Sequence, residues 1–366
     1  MNRNIYPYLS NLKERVHGSD SSALLDFSIN TNPFGPPKKV LEFISGEENL
    51  AWLTKYPQIN AASLKETLAK RLNIGVNQLV VGNGAAELFF LLPRVLKINK
   101  GIVIQPTFGE YEPALMAANI PVERLYYQIT EERFSFPMAD LRENLTAGDL
   151  VYICRPNNPT GQSVSREEIA EILALVIEQK AYLLIDESFI EFTEEPEGLL
   201  SYFSEEVPLI LVRSLTKFYA IPGLRLGYLI APSWLTKSLE LSRDPWSVNA
   251  LAQQVGELML ADSEYYQRTR DWVKVEKAWF YQELSRIAGV KIFPSETNFH
   301  LLQLENQTID QLYQYLKSCG IAIRPCSSFL GLNKQFFRMA VLSREDNEVL
   351  LRELKSFMER RNISNE

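Results

Sequence analysis

Lys217 stands in the run R-S-L-T-K-F-Y-A-I-P-G-L-R-L-G-Y, residues 213–228, with Ser214 three positions before it and Arg225 eight after it. A lysine at the end of a strand, with a hydroxyl and a guanidinium at that spacing, can hold a phosphorylated aldehyde. Its amine forms a Schiff base, and Ser214 and Arg225 bind the phosphate. Upstream lie N-N-P-T-G at 157–161 and Asp186, which follows the apolar run Ala181–Ile185. An amine for an aldehyde, a carboxylate for a ring nitrogen, and donors for a phenolate and a phosphate form the set of groups that pyridoxal 5'-phosphate (PLP) needs.

Each residue also has a plainer reading. A lysine after a strand is most often a surface lysine; here the combination of motifs favours the cofactor. Asp186 should lie at the carboxyl end of a buried strand, where open α/β sheets bind ligands; otherwise it caps a turn. Beside a pyridine nitrogen, a carboxylate keeps that nitrogen protonated and makes the ring an electron sink. Glu187, next to it, reads as structural. The Asn158 amide can donate to the cofactor phenolate, or Asn-Pro can simply form a turn. Gly84, Ala85 and Ala86 in G-N-G-A-A-E open a helix, and their small size lets a phosphate approach its N–H groups. No G-K-[ST] follows, so this is not a P-loop. Phe108, after Q-P-T, stacks on the pyridine face or is simple core.

The elements that must position these groups are legible as pattern. Leu79–Val81, Ile102–Gln105, Leu150–Cys154, Ala181–Ile185, Leu209–Val212 and Leu226–Ile230 are apolar runs of strand length. Helical patterns intervene at Leu64–Leu72, near Tyr111–Ala118 and at Arg166–Gln179. Continuous apolar strands alternating with helices predict an α/β domain whose sheet is buried on both faces. A long helical stretch, about Val248–Ala288, follows. Beyond it, short strands at Val290–Phe293, Phe299–Gln303, Ile321–Ile323 and Phe336–Val341, with helices near Ile309–Cys319 and Arg344–Arg361, predict a smaller α+β domain. The turn-rich start, with N-T-N-P-F-G-P-P at 30–37, reads as an ordered arm that ends at a site. The expected division is an arm over 1–45 that joins the small domain, a large domain over 46–262 and a small domain over 263–366.

Composition bounds the function. The chain has 366 residues, 46% of them hydrophobic and 23% charged, with a net charge of -7. This is the profile of a globular enzyme rather than a nucleic-acid binder. Three cysteines, Cys154, Cys319 and Cys326, show no pairing pattern and read as reduced thiols. Two histidines, His17 and His300, and no C-x-x-C argue against a transition-metal site. No signal core or membrane span is evident, so the expected location is cytoplasmic.

These motifs resemble those of fold-type I PLP enzymes, in the branch that contains histidinol-phosphate aminotransferase and threonine-phosphate decarboxylase of cobalamin biosynthesis. The resemblance covers nearly the whole chain. It rests on D-F-S-I-N-T-N-P-F-G-P-P, Y-P, G-N-G-A-A-E, P-T-F-G-E-Y, N-N-P-T-G, D-E-S-F-I-E-F, the Lys217 run, P-W-S-V-N-A-L-A at 245–252 and F-R-M-A at 337–340. The Lys217 run and P-W-S-V-N-A-L-A are especially similar to the decarboxylases.

The resemblance implies Lys217 as the Schiff-base lysine, Asp186 on the ring nitrogen, Asn158 on the phenolate and Phe108 on the ring face. It implies Ser214, Arg225, Ala85 and Ala86 on the cofactor phosphate, with Thr216 assisting. Tyr56, in K-Y-P, would reach the phosphate in a neighbouring subunit, which implies a homodimer with shared active sites. Arg338 would grip the substrate carboxylate and Arg324 a substrate phosphate, with the turn at Asn32 lining the same pocket. His17, in V-H-G-S, either approaches the substrate phosphate or is an exposed loop histidine. One position departs from the aminotransferases: they carry tyrosine three residues after the aspartate, where this chain has Phe189. The decarboxylases carry phenylalanine there. The expected activity is therefore decarboxylation of L-threonine O-3-phosphate to (R)-1-amino-2-propanol O-2-phosphate. Histidinol-phosphate transamination, and decarboxylation of L-serine O-phosphate, are the alternatives.

Overall fold

The computed structural model describes residues 23–364. A seven-stranded sheet dominates it: β1 (Leu79–Gly82), β2 (Gly101–Gln105), β3 (Val122–Tyr126), β4 (Leu150–Cys154), β5 (Tyr182–Asp186), β6 (Leu209–Ser214) and β7 (Gly227–Ile230), in the order β1-β7-β6-β5-β4-β2-β3. β7 runs antiparallel to both its neighbours, whereas β2 through β6 pair in parallel. The five inner strands are buried along almost their whole length, which is why they read as unbroken apolar runs. One face packs under the helices Ala62–Leu72, Arg166–Glu178 and Ala250–Leu260. The other packs under Ala85–Val95, Tyr111–Ala117 and Ser233–Leu241.

A smaller antiparallel sheet follows: β8 (Val290–Ile292), β9 (Phe299–Leu304), β10 (Arg324–Pro325) and β11 (Phe336–Ala340), in the order β8-β9-β11-β10. Its apolar face packs with Ser263–Ser285, Asp310–Ser318 and Arg344–Ser364. Residues Leu25–Asp26 pair in parallel with Ile321–Ala322, and Phe27 enters the small core. The chain then crosses to the large sheet. Asn32 N–H donates to Lys217 O at 2.9 Å, and the helix Lys38–Ser45 packs on Ala250–Leu260.

The helical stretch expected over 248–288 is two helices, Ala250–Leu260 and Ser263–Ser285. The break is at Asp262, whose carboxylate accepts from Tyr265 N–H at 3.0 Å and starts the second helix. The edge strand β3 and the helices Lys38–Ser45, Met138–Asn144 and Ser233–Leu241 were not expected. β3 escapes the pattern because V-E-R-L-Y pairs on one side only among the described residues and buries only Leu125. Among the described residues no helix is long and apolar enough to cross a membrane.

Candidate active site

The carboxyl ends of β4, β5 and β6 converge with the loop after β1 and the loop after β2. Strand register explains the convergence. Cys154 pairs with Asp186, and Ser214 pairs with Gly227, which also pairs with Gly82. Because β7 is reversed, its start lies at this same end and delivers Arg225. A cavity of about 390 Å³ opens there. Ala85, Ala86, Phe108 and Asn158 line it, together with Asp186, Ser214, Thr216, Lys217 and Arg225.

Lys217 Nζ donates to Ser214 Oγ at 3.0 Å, and Ser214 Oγ lies 2.7 Å from Thr216 Oγ1. Burial lowers the lysine's pKa, and Asp186 partly opposes the shift. A less basic amine is more often in the nucleophilic, uncharged form. Asp186 is 3% exposed. Its Oδ2 accepts from Tyr111 OH at 2.6 Å and its Oδ1 from Ser188 N–H at 2.9 Å. Burial raises its pKa; the Ser188 and Tyr111 donors and the Lys217 charge work against that rise.

The helix Ala85–Val95 begins at Gly84, whose φ of 78° suits glycine. A Cβ there would lie 2.5 Å from the Arg225 guanidinium, and one on Gly227 would lie 2.6 Å from Ala85 N. Both glycines thus let backbone, arginine and helix start share one small space. Gly84 has no side chain to cap the helix, so the first N–H groups are available to an anion. Arg225 itself is left-handed, at φ 57°. This cradle, the lysine and the carboxylate together match the phosphate, aldehyde and ring nitrogen of PLP.

Around the rim, Asn157 is committed to the loop: it donates to Pro106 O at 2.9 Å and Thr160 Oγ1 at 3.0 Å. Asn158 is left to face the cavity, and its Oδ1 accepts from Arg338 Nη1. Arg338 Nη2 donates to Ser28 O at 2.7 Å. Arg324 lies directly opposite Arg338 across β10 and β11, and donates to Ser328 Oγ at 2.9 Å. Arg338 Nε is buried with no hydrogen-bond partner among the described residues. Burial lowers the pKa of both arginines, that of Arg338 to about 10. Phe189 lines the cavity; its ring stands edge-on to Phe299 at 5.1 Å, and Arg338 lies over Phe299 at 5.2 Å.

The chain belongs to the aminotransferase class I and II family. Residues 22–354 match that family, which is PLP-dependent. The chain is 34% identical to the threonine-phosphate decarboxylase of Salmonella typhimurium, over 94% of this chain and 93% of that one. It superposes on the histidinol-phosphate aminotransferase of Clostridium acetobutylicum with a TM-score of 0.86 at 32% identity, covering 92% of this chain and 100% of that one. It superposes on the L-threonine-O-3-phosphate decarboxylase of Porphyromonas gingivalis with a TM-score of 0.79 at 28% identity, over the same shares. The mainly parallel sheet with a smaller separate domain is the fold-type I arrangement of this family.

Of the expected site residues that the structure describes, Asn32, Tyr56, Gly84, Arg324 and Arg338 are not part of the cavity lining. Asn32 is buried, and its amide donates to Phe218 O at 3.0 Å, Tyr265 OH at 2.9 Å and Thr269 Oγ1 at 2.8 Å. Its side chain is thus consumed in tying the arm to the lysine segment and does not line the pocket. Tyr56 is 81% exposed, with its ring 4.9 Å from that of Trp246. His17 lies outside the described residues. Tyr111 and Ser188, which hold Asp186, escaped the motif reading. Tyr111 was in view within P-T-F-G-E-Y, but nothing local ties it to Asp186.

Proposed function

We propose that this protein decarboxylates L-threonine O-3-phosphate, releasing carbon dioxide and (R)-1-amino-2-propanol O-2-phosphate for the nucleotide loop of cobalamin. The observation that carries the reading is the arginine pair beside the cavity. Two guanidiniums directly opposite on neighbouring strands repel each other, and Arg338 keeps a buried N–H without a partner among the described residues. A substrate bearing both a carboxylate and a phosphate would relieve the repulsion and satisfy that donor.

When bound, PLP supplies a carbonyl that captures the substrate amine and a conjugated ring that accepts the electron pair left by departing carbon dioxide. Lys217 anchors the cofactor, and once displaced by substrate it can return a proton to the α-carbon. Asp186 holds a proton at the ring nitrogen. The Asn158 amide serves the phenolate, and Phe108 covers the ring. Ser214, Thr216, Arg225 and the N–H groups at Ala85 and Ala86, with Gly84 leaving them room, hold the cofactor phosphate. Arg338 takes the substrate carboxylate and Arg324 its phosphate, with His17 as a further candidate. Contacts to the substrate phosphate would hold the substrate in one orientation, so that binding energy remote from the reacting carbon would select the bond that breaks.

Histidinol-phosphate transamination is the second reading, favoured by the higher TM-score with an aminotransferase. Phe189 argues against it, since that position lacks the phenolic donor expected of related aminotransferases. The proposed active unit is a cytoplasmic homodimer. The proposed division into an arm to residue 45, a large domain to 262 and a small domain beyond is supported by the helix start at Asp262. The test is product analysis with phosphothreonine, phosphoserine, and histidinol phosphate plus 2-oxoglutarate. Carbon dioxide release from phosphothreonine without a keto acid is expected. Turnover of histidinol phosphate alone would replace the reading with the second one. A single methyl separates phosphothreonine from phosphoserine, so discrimination of about ten- to two-hundredfold is the most a pocket contact supplies.

A further inference from the structure

Tyr111 starts the helix after β2 and does not line the cavity, yet it is fully buried against the group that serves the ring nitrogen. Its hydroxyl donates to Asp186 Oδ2 at 2.6 Å, while Ser188 N–H holds Oδ1. Its ring is clamped on three sides: by Phe89 at 5.0 Å and Phe108 at 5.6 Å, both edge-on, and by Tyr152 at 5.3 Å. The clamp leaves the hydroxyl little freedom to aim elsewhere. Burial and the neighbouring carboxylate both push the phenol's pKa well up, so it stays a donor. The Cys154 thiol nearby is pushed up by burial too and remains neutral.

We infer that Tyr111 is a positioning residue for the reaction: it keeps the Asp186 carboxylate ionised and aimed at the cofactor's ring nitrogen. A desolvated carboxylate takes up a proton readily unless donors stabilise its charge. Asp186 draws such donors from the Ser188 side chain, the Ser188 N–H and the Tyr111 hydroxyl, and Tyr111 is the one whose ring is clamped in place. Without the hydroxyl, the proton shared between Asp186 and the ring nitrogen moves towards Asp186, and the ring becomes a poorer electron acceptor. The inference rests on the PLP reading of Lys217 and Asp186.

The experiment uses the full chain loaded with PLP that carries ¹⁵N in its ring. The ¹⁵N resonance is recorded at neutral pH for the unaltered protein, for Tyr111→Phe and for Asp186→Asn. The unaltered protein should show the shift of a protonated pyridine, and Asp186→Asn that of an unprotonated one. Tyr111→Phe should fall between them, with turnover down roughly ten- to hundredfold, the effect of losing one bond to a charged group. Tyr111→Phe keeps the ring and its packing, so a purely structural tyrosine would leave the ¹⁵N shift where it is in the unaltered protein. That coincidence overturns the inference while leaving the PLP reading intact. Failure of the unaltered protein to load PLP, or an unprotonated ring in it, overturns the underlying reading and the inference with it.

Discussion

At the scale of single residues, the site combines an amine made less basic by burial with a carboxylate that burial makes more basic. Each moderates the other, because the Lys217 charge opposes the rise at Asp186 and the Asp186 charge opposes the fall at Lys217. On the proposed reading the amine carries the cofactor. Borohydride reduction of PLP-loaded protein followed by peptide mapping should label Lys217, and a label on another lysine contradicts the assignment. Lys217→Ala should lose roughly 10²–10⁴-fold in turnover from proton transfer alone. Arg324 tests the substrate. Arg324→Ala should lower kcat/KM for phosphothreonine about ten- to hundredfold, since a hydrogen bond to a charged group contributes about 1.5–3 kcal/mol. Its effect on unphosphorylated threonine should be slight. Equal losses on both substrates would place Arg324 away from the phosphate.

At the scale of elements, an ion pair ties together the two strands that end in Asp186 and Ser214. Glu187 follows Asp186 at the end of β5, and Arg213 precedes Ser214 at the end of β6. Arg213 Nε donates to Glu187 Oε2 at 2.8 Å, with both side chains almost fully buried. Glu187 Oε1 also accepts from Leu199 N–H at 2.7 Å, and Arg213 Nη2 donates to Glu197 O at 2.6 Å. Replacing both partners with apolar residues can be neutral, but removing one strands the other's charge. Glu187→Ala should therefore destabilise the protein by about 3–5 kcal/mol, measured by urea unfolding without cofactor. A loss below about 1 kcal/mol would show that Arg213 finds another partner or reaches water.

At the scale of the whole molecule, Tyr56 and Trp246 present exposed aromatic surface. Tyr56 is 81% and Trp246 45% exposed, although their rings touch. Apolar side chains close to Tyr56 along the chain are exposed as well: Leu50 is 56%, Leu53 66% and Ile59 56% exposed. Exposed apolar side chains of this kind mark a contact surface where they cluster, which supports the proposed homodimer. Sedimentation at working concentration should give a dimer, and Tyr56→Phe should weaken PLP retention. A fully active monomer would remove Tyr56 from any shared site.

The sequence by itself determined the groups that lie close along the chain. Lys217 with Ser214, the small residues that open Ala85–Val95, and Asp186 at the end of an apolar run are local patterns, and the apolar strands of the large sheet are equally plain. Glu187 read as structural, and its partner proved to be Arg213. The tertiary structure decided what depends on strand register and on packing between distant segments. Tyr111 meets Asp186 across 75 positions, Arg338 meets Asn158 across 180, and the Asn32 amide meets Thr269 across 237. No periodicity encodes such pairs. A motif shows that Asn32 sits in a tight turn, but only the packed arm shows its amide spent on Phe218, Tyr265 and Thr269 rather than on the cavity. Local propensity chooses the element; which side chains then face each other is settled by how the buried faces fit together.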